Sequence, residues 1–216
     1  MIAALLRDTE PIGGQLACRT VMGANFLGED EVVEHFDDII RKEDLGNTFG
    51  IRFSLRSLQK RKDTHILFLG YPLTVYQIWK ASRMCWHGDN SWIREEQFAT
   101  GKRVRQGWYL LSRKTVLYAP AESTVPLSRV RFAGSGGRCP WACELAYASA
   151  LYCMKTGGLP FTEEKIFTAD KDSNGRPVFM RCAQSRISFA SESPALAEKV
   201  SISPLITATS LRRLKN

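Results

Sequence analysis

Val32, Phe36, Ile39 and Ile40 recur at steps of three and four between polar positions, which predicts a helix over 29–45 with one apolar stripe turned to a core. The charges agree. Glu29, Asp30 and Glu31 fill the first turn and Arg41 and Lys42 the last, complementing the helix dipole, and Gly46 with Asn47 supplies a stop. From Phe49 the period changes to two, with Phe49, Ile51, Phe53 and Leu55 alternating against Gly50, Arg52, Ser54 and Arg56, so a strand with an outward arginine face is expected. The unbroken apolar run His65 to Leu69 predicts a strand covered on both faces. Gly70 and Pro72 break that run ahead of a helix reaching Ser82, with Leu73, Tyr76, Ile78 and Trp79 available for packing. A short helix over 91–100 ends at Gly101, and Trp108 to Leu111 forms a strand expected to pair with Val116 to Tyr118.

Residues 119–137 are rich in Pro, Ala, Ser and Gly, the composition of a connecting segment. Beyond it, Pro140 to Lys155 predicts a second helix, capped at Cys139 or its neighbour and stopped by Gly157 and Gly158. Its small residues Ala142, Ala146, Ser149 and Ala150 suit close packing. Short strands follow at Lys165 to Ala169, Val178 to Cys182, Arg186 to Ala190 and Leu205 to Thr209. The expected fold class is α+β. A mixed sheet with two helices makes an N-terminal lobe over 1–118, and one helix beside a small antiparallel meander makes a C-terminal lobe over 138–216. One continuous domain is the alternative.

A chain of 216 residues, 44% hydrophobic and 24% charged, is outside the disordered and fibrous classes. At that length folding buries roughly 70% of the surface exposed by the unfolded chain, so a core forms without staples. The first residues lack the charged and long apolar regions of a secretory signal, and the apolar run 66–73 is far short of the roughly 20 residues a bilayer span needs. Six scattered cysteines read as reduced thiols, so a cytoplasmic protein without a membrane partner is expected. The formal net charge of +8 adds an anionic partner to that picture.

Four groups of residues carry candidate chemistry. Basic residues interleaved with aromatics come first: Lys60, Arg61 and Lys62, then Lys102, Arg103 and Arg105 ahead of Trp108 and Tyr109, then Arg113 and Lys114, and Arg212, Arg213 and Lys215 near the end. Cations that neutralise phosphates beside rings that stack on bases are the general means of holding single strands. Second, Asp170, Asp172, Asn174 and Gly175 match the opening of a calcium loop, but Arg181 stands where the bidentate glutamate belongs. A hairpin turn is the expectation there, no cofactor is predicted, and a calcium site is the alternative. Third, the stretch Gly134 to Cys143 joins a glycine-rich loop to a helix start, the geometry of a phosphate site, without the third glycine or the lysine of the known fingerprints. Fourth, Cys139 at that helix start is a candidate reactive thiol, with His87 or His65 as a base across space, while Cys85, His87, Cys139 and Cys143 have spacings unlike common zinc modules.

The segments DTHILFLGYPL (Asp63 to Leu73), GWYLLSRKTV (Gly107 to Val116), ALYCMKTGGLPF (Ala150 to Phe161) and TADKDSNGRPVF (Thr168 to Phe179) resemble an uncharacterised bacterial family known mainly from environmental genomes. The resemblance implies a shared fold and carries no assigned activity. In that family the turn tends to read D-x-D-S-D-G, so Asn174 here replaces an acid and lowers the claim on a metal. The expected function is a non-enzymatic binding or accessory protein whose basic, aromatic-containing surface takes nucleic acid or an acidic protein. An enzyme with a cysteine-based or phosphate-binding site at Gly134 to Cys143 is one alternative. A subunit of a larger assembly, with Trp79, Trp86 and Trp92 on an apolar patch, is the other.

Overall fold

The computed structural model describes residues 14–40, 50–88, 90–118, 126–132, 137–161, 165–192 and 200–207. The run His65–Gly70 forms β2, and every residue of it after His65 is buried. It pairs in parallel with β1 (Phe26–Leu27) and antiparallel with β3 (Gly107–Ser112), in a register that sets His65 opposite Ser112 and Gly70 opposite Gly107. The far side of β3 takes β11 (Leu205–Thr207), followed by β6 (Gly137–Arg138) and β5 (Arg131–Phe132), which completes a six-stranded mixed sheet. Three of those strands come from beyond residue 119. The segments before and after 119–137 therefore share one sheet and one core.

The helices α2 (Glu29–His35), α4 (Val75–Ala81) and α5 (Gln97–Thr100) pack on a central one, α6 (Ala142–Thr156), while α1 (Gln15–Met22) and α3 (Leu55–Gln59) pack on each other. Residues Ala142 to Cys153 of α6 are all buried, and the helix packs on β2 on one side and on β7 (Lys165–Lys171), β8 (Pro177–Ala183) and β9 (Arg186–Ser191) on the other. Those three strands form an antiparallel meander beside the helix, whereas Leu205–Thr207, expected as the last strand of that C-terminal lobe, lies in the main sheet between β3 and β6. Gly157, with φ of 74°, ends α6 in the left-handed region, where a side chain is strained. The fold class is α+β, with no helix among the described residues long and apolar enough to cross a membrane.

Several elements differ from expectation for local reasons. Residues 50–54 form no strand. Their alternation is a true burial pattern, with Ile51 and Phe53 buried and Arg52 exposed, but Ser54 accepts a hydrogen bond from the Ser57 amide and starts α3 instead of extending a ladder. The first helix stops at His35, Phe36 to Ile40 continue as turns, and 41–45 lie outside the described residues. α4 starts after Thr74, because Thr74 and Gln77 cap each other, and not at Pro72. Residues 91–100 split into a 3-10 turn at Ser91–Arg94 and the short α5. The strand Val116–Tyr118, β4, pairs with β10 (Val200–Ile202) and not with β3. Val116 and Leu117 are 43% and 66% exposed, so the apolar side chains of β4 are left uncovered by the core.

Candidate functional site

At the end of the β2–β3 pair marked by Gly70 and Gly107, the loop 101–106 folds back over the sheet. Gly70 permits this, since a Cβ there would lie 2.6 Å from the Tyr109 ring and 2.8 Å from the Arg105 carbonyl oxygen. The Tyr109 hydroxyl donates to that same carbonyl at 2.8 Å and ties the loop down. Beside it opens a cleft of about 810 Å³ lined by Arg52, Arg103, Arg105, Arg131, Trp141 and the ion-paired residues beneath them.

The floor of the cleft is the start of α6. Glu144 accepts from the Trp141 amide at 2.9 Å and pairs with both terminal nitrogens of Arg138. Asp170, at the end of β7, accepts from the Ala142 amide at 2.7 Å and from Lys102. The Lys102 ammonium also sits 3.4 Å from the centroid of the Trp141 ring. Burial pushes the Asp170 carboxyl above its ordinary range, against the pull of Lys102 and the Ala142 amide. Two amides at the helix start are thus filled by the protein's own carboxylates, which occupies the place a phosphate would take in the loop-helix alternative. Gly134 to Gly136 lie outside the described residues.

Above this floor the charge is unbalanced. Arg52, Arg103 and Arg105 are exposed and meet no carboxylate among the described residues, and Arg131 bonds only to carbonyls of its own loop, Ser128 and Val130. The acids nearby, Glu144 and Asp170, are already paired. The cleft therefore presents arginine donors whose natural complement is a phosphate or carboxylate.

The residues singled out in the sequence do not form one surface. Lys102, Arg103, Arg105 and Trp108 line the cleft, while Lys60, Arg61, Lys62, Arg113 and Lys114 meet at the opposite end of the β2–β3 pair, where the Arg113 amide bonds to the Thr64 carbonyl. Six-residue strands separate the two groups by about 17 Å. Within the second group, Arg61 turns back to Ser57 and Arg113 donates to the Pro160 carbonyl, while Lys60 and Lys114 are exposed and Lys62 is half-buried. Arg212, Arg213 and Lys215 lie outside the described residues.

Trp108 corrects an expectation: it is 4% exposed, with its ring 5.6 Å from Phe26, a wall and not a stacking face. Arg131 and Glu144 fall outside every candidate site expected from the sequence, Arg52 is expected only on the outward face of a strand, and Arg138 and Trp141 only within the stretch Gly134 to Cys143. The capping pattern Trp141-x-x-Glu144 marks one of them; nothing in the spacing marks the arginines.

The acidic turn is a hairpin between β7 and β8. Asp172 accepts from the Asn174 and Arg176 amides, from the Arg176 side chain and from Ser191, which uses both its oxygens, whereas Asp170 faces α6. Asn174 is exposed at the tip. No cluster of three potential metal ligands occurs among the described residues.

Cys139 is 2% exposed, its thiol 3.8 Å from the Pro140 and Phe167 carbonyl oxygens, and burial pushes its pKa up, the reverse of what a nucleophile needs. His65 lies on β2, separated from β6 by β3 and β11, and His87 is exposed beside β9. Trp79 and Trp86 are buried and Trp92 packs against the same core, so these three form no exposed patch. Comparison with protein-family models, curated proteins and solved structures gives no match.

Proposed function

We propose that the protein binds nucleic acid, gripping the phosphate backbone in the arginine cleft at the start of α6. The observation that carries this is the convergence of Arg52, Arg103, Arg105 and Arg131 on a concavity of about 810 Å³ in which the nearby acids are already paired. Guanidinium groups form two parallel hydrogen bonds with phosphate oxygens, and each one that neutralises a phosphate releases counterions. A groove also suits a narrow polyanion better than the broad face of an acidic protein. The burial of Cys139 and the carboxylates that take the amides of the helix start support binding over a cysteine reaction at this site.

The test is fluorescence anisotropy of a labelled random oligonucleotide across salt concentrations. Binding should weaken linearly in log–log form. Replacing Arg52, Arg103 and Arg105 together by alanine should reduce the slope by about 2, at roughly 0.7 per phosphate for a single strand. These side chains are exposed, so the fold should survive. An unchanged slope, or no binding at low salt, overturns the proposal.

A further inference from the structure

The aromatic residues of the cleft decide which kind of nucleic acid it suits, given the nucleic-acid reading above. Trp108 and Tyr109 are each 4% exposed, and Tyr109 is stacked on Phe68 at 5.1 Å, so neither ring has a face to offer. Trp141 differs. It is half-buried, lines the cleft and packs against the core from the position that caps α6.

Its backbone is held at both ends. The amide donates to Glu144, and the carbonyl accepts from the Glu144 and Leu145 amides at 3.1 Å each. One face of the ring carries the Lys102 ammonium at 3.4 Å, and Lys102 is itself anchored on Asp170. The indole is therefore held before any ligand arrives, and, half-buried, it lines the cleft together with Arg103, Arg105 and Arg131. A fixed ring spares the ordering cost of a mobile one.

A flat apolar surface beside phosphate donors matches an unpaired base attached to its own phosphate. In a duplex the bases are stacked on one another and cannot lie on a protein ring without being pulled out. We infer that the cleft takes a single strand, with one unpaired base laid on Trp141 and the neighbouring phosphates on the arginines. Lys102, which lines the same cleft, acts as a positioning residue that holds the ring.

The experiment compares three labelled probes on the full chain by anisotropy: a single-stranded oligonucleotide, a hairpin duplex of the same composition, and the single strand with abasic sites. The intact strand should bind about tenfold tighter than the abasic strand and tighter than the duplex, a preference of the size one stacked base supplies. In Trp141→Leu the ratio of single-strand to duplex affinity should fall toward one, and Trp141→Phe should restore most of it. The abasic comparison uses the unaltered protein, so it decides the matter even where Trp141→Leu folds poorly. Equal binding of all three probes, still sensitive to the arginine substitutions, overturns the stacking inference and leaves the phosphate grip standing. Absence of binding to every probe overturns both.

Discussion

Tyr147 is fully buried in α6 between Phe36 and Phe68, at centroid distances of 5.4 and 6.0 Å, and its hydroxyl has no hydrogen-bond partner among the described residues. A buried hydroxyl without a partner loses its hydration and gains nothing in return, at a cost of about 1–3 kcal/mol. The ring itself fills volume that nothing else occupies. Tyr147→Phe keeps the ring and removes the oxygen, so the urea midpoint should stay level or rise, whereas Tyr147→Ala should lower stability by about 3–5 kcal/mol. A clear loss in the phenylalanine variant would mean the hydroxyl is satisfied after all. The same accounting separates Cys139 from reactivity: a residue type chosen from its place near a helix start proved to be packing material, because position along the chain does not report depth.

Elements are tied together here by shared carboxylates as well as by apolar faces. Glu31 on α2 bonds to the Gly28 amide, to Arg19 of α1 and to Lys155 of α6, so one buried side chain joins three helices. Burial alone would raise its pKa, but the bonds to Lys155, Arg19 and the amide outweigh that and hold it below 4.5. A carboxyl whose folded pKa is depressed stabilises the fold above its unfolded value, and that contribution disappears as pH falls through 4.5 and on to the folded value. Glu31→Gln should therefore cost about 2 kcal/mol at neutral pH and progressively less below pH 4.5, with the two denaturation curves converging in acid. Parallel curves would place the stabilisation elsewhere. The start of α2 with its acidic first turn, the buried strand β2, the meander and the glycine that ends α6 were all legible in periodicity and punctuation. The strand expected at 49–55 was not, since alternation reports which side chains are buried and is silent on whether a neighbouring strand is present to pair. Pairing of β4 with β10 was equally hidden, being a long-range choice between partners that local sequence treats alike.

At the scale of the molecule, the described basic residues singled out in the sequence fall into two groups at opposite ends of the β2–β3 pair. Sequence reasoning found members of both but could not separate them, because the distance between Lys62 and Lys102 depends on the β2–β3 register and not on their spacing along the chain. The cleft end is concave and carries a half-buried ring; the far end offers Lys60 and Lys114 as exposed side chains and Lys62 half-buried. Point charges on open surface attract a polyanion but do not orient it, and their effect is screened over about 8 Å at physiological salt. The two ends, about 17 Å apart, should therefore act independently on a short ligand. Replacing Lys60, Lys62 and Lys114 by glutamine should leave the affinity for an oligonucleotide of a few bases nearly unchanged, while lowering the affinity and the salt slope for one long enough to reach from the cleft across the β2–β3 pair. Anisotropy titrations over a series of oligonucleotide lengths supply the measurement. If the lysine substitutions weaken short and long probes alike, the far end is itself the primary contact, and the assignment of binding to the arginine cleft fails.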